Sequence, residues 1–144
     1  MCNIPSICVH EDWLWTFNGD LDMSVIQFHE CLRNPLVVGK WLIFSNRESV
    51  DALWGTIHAE TKIGRLGIAA QVSSRIHADS YSKKGSHVIS VYTYNFKDQI
   101  DVDKVREGLK RLGINRKIYY KLNLDTLTGK YNKNSHAALS VYHE

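Results

Sequence analysis

Residues 38–61 read VGKWLIFSNRESVDALWGTIHAET, and within them the spacing of the apolar side chains changes from every second residue to a helical repeat. Val38 to Phe44 alternates as a strand, with Trp41 and Ile43 on one side and Lys40, Leu42 and Phe44 on the other. Ser45 and Glu48 then have the spacing of a capping box. Val50, Leu53, Trp54 and Ile57 fall at i, i+3, i+4 and i+7, one face of a helix running to about His58 or Thr61, with Gly64 placed to end it. A strand feeding a one-sided helix is the unit of a sheet covered by helices.

The same alternation extends in both directions. Upstream, Asp12 to Phe17 predicts a first strand closed by the turn residues Asn18-Gly19-Asp20, and Met23 to Arg33 predicts a helix. Downstream come a strand over Leu66 to Arg75, a polar loop over Ile76 to Ser86 and a strand over His87 to Tyr94. Asp101 to Leu112 is the clearest helix, with Val102, Val105, Leu109 and Leu112 as its stripe and Gly113 at its C-terminal cap. A strand over Lys117 to Lys121, a turn or short helix over Asp125 to Lys130 and a last strand over Ala137 to Tyr142 complete the chain. This order predicts one α+β domain over residues 1–144: a curved, mostly antiparallel sheet with about three helices on one face.

Composition narrows the function classes. With 144 residues, 44% hydrophobic and 23% charged, the chain can bury a core and lies far from the disordered class. A net charge of +3 suits a phosphate-bearing partner but is not the concentrated basic stripe of a nucleic-acid binder. The three cysteines, Cys2, Cys8 and Cys31, have neither metal-type spacing nor an even count, so reduced thiols are expected. The seven histidines are scattered without ligand spacing, so no metal and no cofactor are expected. No signal-like or membrane-spanning segment is present in the sequence given, and a cytoplasmic protein is the expectation.

The strand period places candidate binding residues together. If Trp41, Ile43, Ile89, Val91 and Thr93 face the helices, then Lys40, Gln71, Ser73, Arg75, Tyr92 and Tyr94 share an open, concave sheet face. His87 begins its strand beside a loop holding Lys83 and Lys84, and Lys121 lies on a neighbouring strand. Cations there would clamp an anion through charge-assisted hydrogen bonds, and phenol rings would stack on an aromatic ligand. A plain solvated sheet face accounts for the same residues. Trp41 and Trp54 are explained by the core; Trp13 and Trp15 share a strand face where packing is the expected role. No GxSxG, P-loop or other nucleophile motif occurs, so no catalytic residue is assigned. Lys104, Arg106, Lys110, Arg111, Arg116 and Lys117 form a basic surface around the third helix, read as a solvated face.

Several blocks together resemble a known family. Gly39 to Ile43, Val50 to Trp54, Val88 to Thr93, the Arg111-Leu112-Gly113-Ile114 turn before Lys117-Ile118, and the opening Trp13 to Phe17 are similar to the mRNA cap-binding translation initiation factor superfamily. Gly39 to Tyr131 resembles more closely the small family around the basophilic leukaemia-expressed protein, whose bacterial relatives carry a phosphothreonine-lyase-domain label. That resemblance implies a cap-binding-factor-like sheet, with Lys40 near ligand phosphates, Ser73 or Arg75 where an arginine serves the phosphate chain, and Tyr92 in place of a tryptophan at the site's edge. It also implies a changed ligand. Only Asn34-Pro35-Leu36-Val37-Val38 joins the first helix to the second strand, too short for the loop that carries the second cap-stacking tryptophan and its glutamate.

Three readings follow. The first is non-catalytic binding, or sequestration, of a nucleotide-like or phosphorylated small ligand on the open face. The second, carried by the lyase label, is elimination from phosphothreonine, with Lys40 or Lys121 as base, His87 as acid and Arg75 as clamp. The third is a protein- or RNA-interaction domain using the helical side.

Overall fold

In a computed structural model, the structure describes residues 3–19, 38–82, 85–122 and 142–143. The first strand, β1, is Trp13–Phe17, followed after the intervening segment by β2, Gly39–Ser45. Helix α1 spans Arg47–Lys62, β3 spans Ala69–Ser73, and a short helix α2 covers Arg75–Tyr81. Then come β4 (His87–Thr93), α3 (Gln99–Arg111), β5 (Tyr119–Leu122) and β6 (Tyr142–His143). The strands form one sheet in the order β1-β3-β4-β2-β5-β6, with every neighbouring pair antiparallel. The α+β class and antiparallel sheet are therefore as the alternation predicts. The helix expected over Met23 to Arg33 and the turn over Asp125 to Lys130 lie outside the described residues, as does all but the end of the strand expected over Ala137 to Tyr142.

One sheet face carries the core. Leu14, Trp41, Ile43, Ala70, Val72, Ile89, Val91 and Tyr120 pack there against Val50, Trp54 and Ile57 of α1 and Val102, Val105 and Leu109 of α3. These are the helical stripes and the alternating strand positions, odd-numbered in β2 and β4 and even-numbered in β1, β3 and β5, that the two periodicities select. Burial of such side chains, each worth about 1.5–3 kcal/mol when taken fully out of water, holds the layers together. Trp41 adds direction: its indole Nε1 donates to the Val102 carbonyl at 3.2 Å, fastening α3 to β2.

Local chemistry shifts some boundaries. Asn46, not Ser45, caps α1, accepting from the Ser49 amide at 2.8 Å, while Ser45 remains in β2. The strand expected to reach Arg75 stops at Ser73, because Ser74 takes an extended conformation and its hydroxyl caps α2. The polar loop expected over Ile76 to Ser86 therefore begins as helix. Gly113, at φ +94°, ends α3 in the left-handed conformation that glycine adopts without strain.

Two other expectations change. Cys8 is disulfide-bonded rather than reduced, and both other cysteines, Cys2 and Cys31, lie outside the described residues. Arg106 is not part of a solvated basic face. It is fully buried, its guanidinium forking to the carbonyls of Ile114 at 2.8 Å and Arg116 at 2.9 Å and lying over the Trp41 ring. Among the described residues no helix is long and apolar enough to cross a membrane.

Candidate functional site

The sheet face turned away from α1 and α3 is built by the even-numbered residues of β2 and β4. Register then lines up side chains from neighbouring strands. Phe17, Ala69, Tyr92, Lys40 and Lys121 form one row across β1, β3, β4, β2 and β5. Trp15, Gln71, Ser90, Leu42 and Tyr119 form the next. None of the described strands contains an aspartate or glutamate.

This face is half closed. Lys40 is 7% exposed, Lys121 2% and Tyr92 3%, and Gln71 and Ser90 are buried beside them. Trp15, Phe44 and Tyr119 remain exposed. The partly open face expected from the layering is therefore a buried floor with an exposed aromatic rim. The Lys40 ammonium lies 5.4 Å from the centre of the Tyr92 ring, within cation–π range. Trp15 stacks on Tyr92 at 5.8 Å and on Phe17 at 6.0 Å. Val38, Ile68 and Ala69 complete a small apolar cluster around Tyr92.

Burial governs the electrostatics. Desolvation pushes the Lys40 ammonium down to about 8, because the charged form loses its water. The same effect raises the Tyr92 hydroxyl, so it stays protonated. A neutral phenol beside this amine can stack or donate a hydrogen bond, but cannot neutralise the cation.

The predicted residues separate into two groups. Lys40, Gln71, Tyr92 and Lys121 converge on the second face. Ser73 lies on it too, but its hydroxyl accepts from the Val88 amide at 2.8 Å, a structural bond. Tyr94 stands just past the end of β4, where its amide donates to the Asp101 carboxylate at 2.9 Å.

Arg75 and His87 are elsewhere. Arg75 is the first residue of α2 and lies 3.7 Å from Asp79. His87 shares the core-facing side of β4 with Ile89 and Val91 and is fully buried. Its Nδ1 is 2.8 Å from the Ser73 carbonyl and its Nε2 accepts from Arg47 at 3.3 Å, roles that fit the Nδ1-protonated tautomer. Arg47 in turn binds Asp79 at 2.6 Å, holding that carboxyl below the usual range. His87 and Arg75 are therefore not brought together with Lys40 or Lys121, and the base, acid and clamp sketched for elimination do not share a surface.

Phe17 and Tyr119 are neighbours of this floor that the sequence did not single out, and Trp15, expected to pack, is a third. Their period-two pattern was visible, but not which face it addressed. Among the described residues no group of three or more His, Cys, Asp or Glu side chains could hold a metal ion.

The model for the family of basophilic leukemia-expressed protein Bles03 matches residues 27–128. This chain belongs to the Bles03 family. The matched span takes in every described strand but β1 and β6, and the three described helices. Among solved structures, a schistosome eIF4E complexed with m7GpppA and 4E-BP is similar with a TM-score of 0.63 at 18% identity, covering 98% of this chain and 74% of the other. The schistosome eIF4E complexed with m7GpppG and 4E-BP gives 0.61 at 17% identity, with the same coverage. This Bles03-family member therefore has the eIF4E-like fold that its sequence blocks implied.

Proposed function

We propose that the second sheet face binds a nucleotide-like or otherwise phosphorylated small ligand, without catalysis. One observation carries this reading: Lys40 and Lys121 are buried register partners on a face whose described strands carry no carboxylate. Holding Lys40 there at the expense of its hydration destabilises the fold, a cost that an anionic ligand would offset. The aromatic rim of Trp15 and Tyr119 adds flat surfaces at the exposed edge, suited to a base or another planar group. The fold likeness to eIF4E structures that carry m7GpppA or m7GpppG is consistent with a nucleotide as the ligand class. Sequestration of such a ligand, in a cytoplasmic setting, is the role that a non-catalytic binding face of this kind would serve.

The test is isothermal titration of the purified chain against nucleoside mono-, di- and triphosphates, cyclic nucleotides and inorganic pyrophosphate. Saturable binding that disappears in Lys40→Ala and Lys121→Ala supports the reading. No heat from any compound in the panel, with both variants folded, would overturn it.

A further inference from the structure

A cavity of about 370 Å³ lies between α1, β1 and the segment that precedes β1. That volume is at the small end of the range for ligand pockets. Helix α1 contributes Asp51, Trp54, Gly55 and His58, the i, i+3, i+4 and i+7 positions of one helical face. Glu11 and Trp13 add a carboxylate and a second indole from the opposite wall.

Gly55 is the residue that the fold does not explain. A glycine in the interior of this 16-residue helix weakens it relative to alanine. Gly39, Gly67 and Gly108 stand where a Cβ would run into neighbouring atoms. At Gly55 a Cβ would meet nothing within 4 Å. Packing of the chain on itself therefore does not call for glycine here, whereas a molecule lying against α1 in the cavity would.

The wall also selects a charge. Glu11 and Asp51 line it, and among the described lining residues there is no lysine or arginine. Asp51 is fixed in place, because the Ser6 amide donates to its Oδ1 at 3.0 Å and the Ser6 hydroxyl to its Oδ2. Two donors leave about half of the lone-pair positions of a carboxylate open. Burial lowers His58, helped by Lys62, which is outside the wall, so the imidazole adds no positive charge at neutral pH. Indole is the best aromatic partner for a cation, and Trp13 and Trp54 supply two.

We propose that this cavity binds a small organic ammonium, an amine carrying one aromatic or branched aliphatic group. The ammonium lies against Asp51 and Glu11, and the apolar body lies over Gly55 against the indoles. The site does not rest on the anion-binding reading, and the two surfaces have only Trp15 in common.

The probe is phenethylamine, compared with phenethyl alcohol, which has the same shape without the charge, and hydrocinnamate, which reverses the charge. Amide and indole N–H shifts of the isotope-labelled chain report binding. Phenethylamine should give saturable shifts centred on Asp51, Gly55, His58 and the indoles of Trp13 and Trp54. The alcohol should bind about tenfold more weakly, and the carboxylate more weakly again. Asp51→Asn should lower the affinity for phenethylamine about tenfold. Gly55→Leu should fold, since its Cβ enters open space, and should abolish binding by filling the cavity.

No saturable shift at millimolar phenethylamine would overturn the proposal. So would equal binding of all three compounds, or full affinity in a folded Gly55→Leu chain. The three compounds are compared on the unsubstituted chain, so a variant that misfolds cannot obscure the result.

Discussion

Lys40 and Lys121 stand directly opposite one another across the β2–β5 pair, on a sheet face whose described strands hold no carboxylate. Opposed like charges on one face destabilise a sheet, and burial adds to the effect. A fold that buries Lys40 away from water retains a local cost, seen in the lowering of its amine. Sites for charged ligands are where such costs gather.

That cost is measurable in Lys40→Met. In the unfolded chain the amine titrates near 10.5, whereas burial brings it to about 8 in the fold. Between those values unfolding takes up a proton, so this group's contribution to stability rises with pH; its full cost, about 3 kcal/mol, is present below about pH 8. The substitution should therefore stabilise the ligand-free protein at neutral pH by about 1–3 kcal/mol, with the gain shrinking above pH 8. Denaturant midpoints compared at pH 7 and pH 10 check this; a destabilised variant at pH 7 would show that Lys40 is held by a favourable pair.

Ligand affinity should move the opposite way with pH. As Lys40 loses its charge through about 8, phosphate binding should weaken. Lys40→Arg, which does not titrate in this range, should flatten the profile even if it lowers affinity overall. Titrations with pyrophosphate across pH 6.5–9 provide the comparison, and an identical profile in both proteins would assign the dependence to another group.

Trp15 separates the two parts of a nucleotide. Trp15→Ala removes the exposed ring stacked on Tyr92. Its loss should weaken binding of a nucleoside triphosphate by about 1–3 kcal/mol, as for a lost base stack, and leave pyrophosphate nearly unaffected. Equal losses for both ligands would mean that the ring supports the floor rather than the ligand.

Much of this architecture was legible from spacing alone. The even–odd alternation of β4 separates Ser90 and Tyr92 from Ile89 and Val91, and the i, i+3, i+4, i+7 pattern of α1 places Trp54 in the core. The errors have local causes. Arg75 was aligned with Gln71 and Ser73 by extending a strand that Ser74 ends through a side-chain cap, chemistry that competes with alternation. His87 has the core parity of Ile89; its buried polarity is satisfied by the Ser73 carbonyl and Arg47, partners distant in sequence. Arg106 looked like solvent because a helix stripe does not reveal that two carbonyls of the following turn would converge on it.

Arg106 yields a stability prediction free of any ligand. Arg106→Met strands the carbonyls of Ile114 and Arg116 and removes the cation over Trp41, which should cost about 2–4 kcal/mol in chemical denaturation. Arg106→Lys should restore only part of this, since an ammonium lacks the planar fork. Full rescue by lysine would reduce the role to charge.

Gly39 explains why a glycine precedes the Lys40-Trp41 pair. A Cβ there would overlap the Tyr120 ring and its hydroxyl, which also meets Thr93 Oγ1 at 2.5 Å. Gly39→Ala should lower stability by about 1–3 kcal/mol through this overlap, and adding Tyr120→Phe should not rescue it, because ring carbons Cζ and Cε1 that phenylalanine keeps also overlap the Cβ. A stable single variant would contradict the packing.

The most direct measurement is an amide chemical-shift map of the isotope-labelled chain titrated with a nucleoside triphosphate. Saturable shifts largest at Lys40, Ser90, Tyr92 and Lys121, and small along α1 and α3, are the expected result. Shifts confined to the helices, or none at millimolar ligand, would contradict a binding site on this face of the sheet.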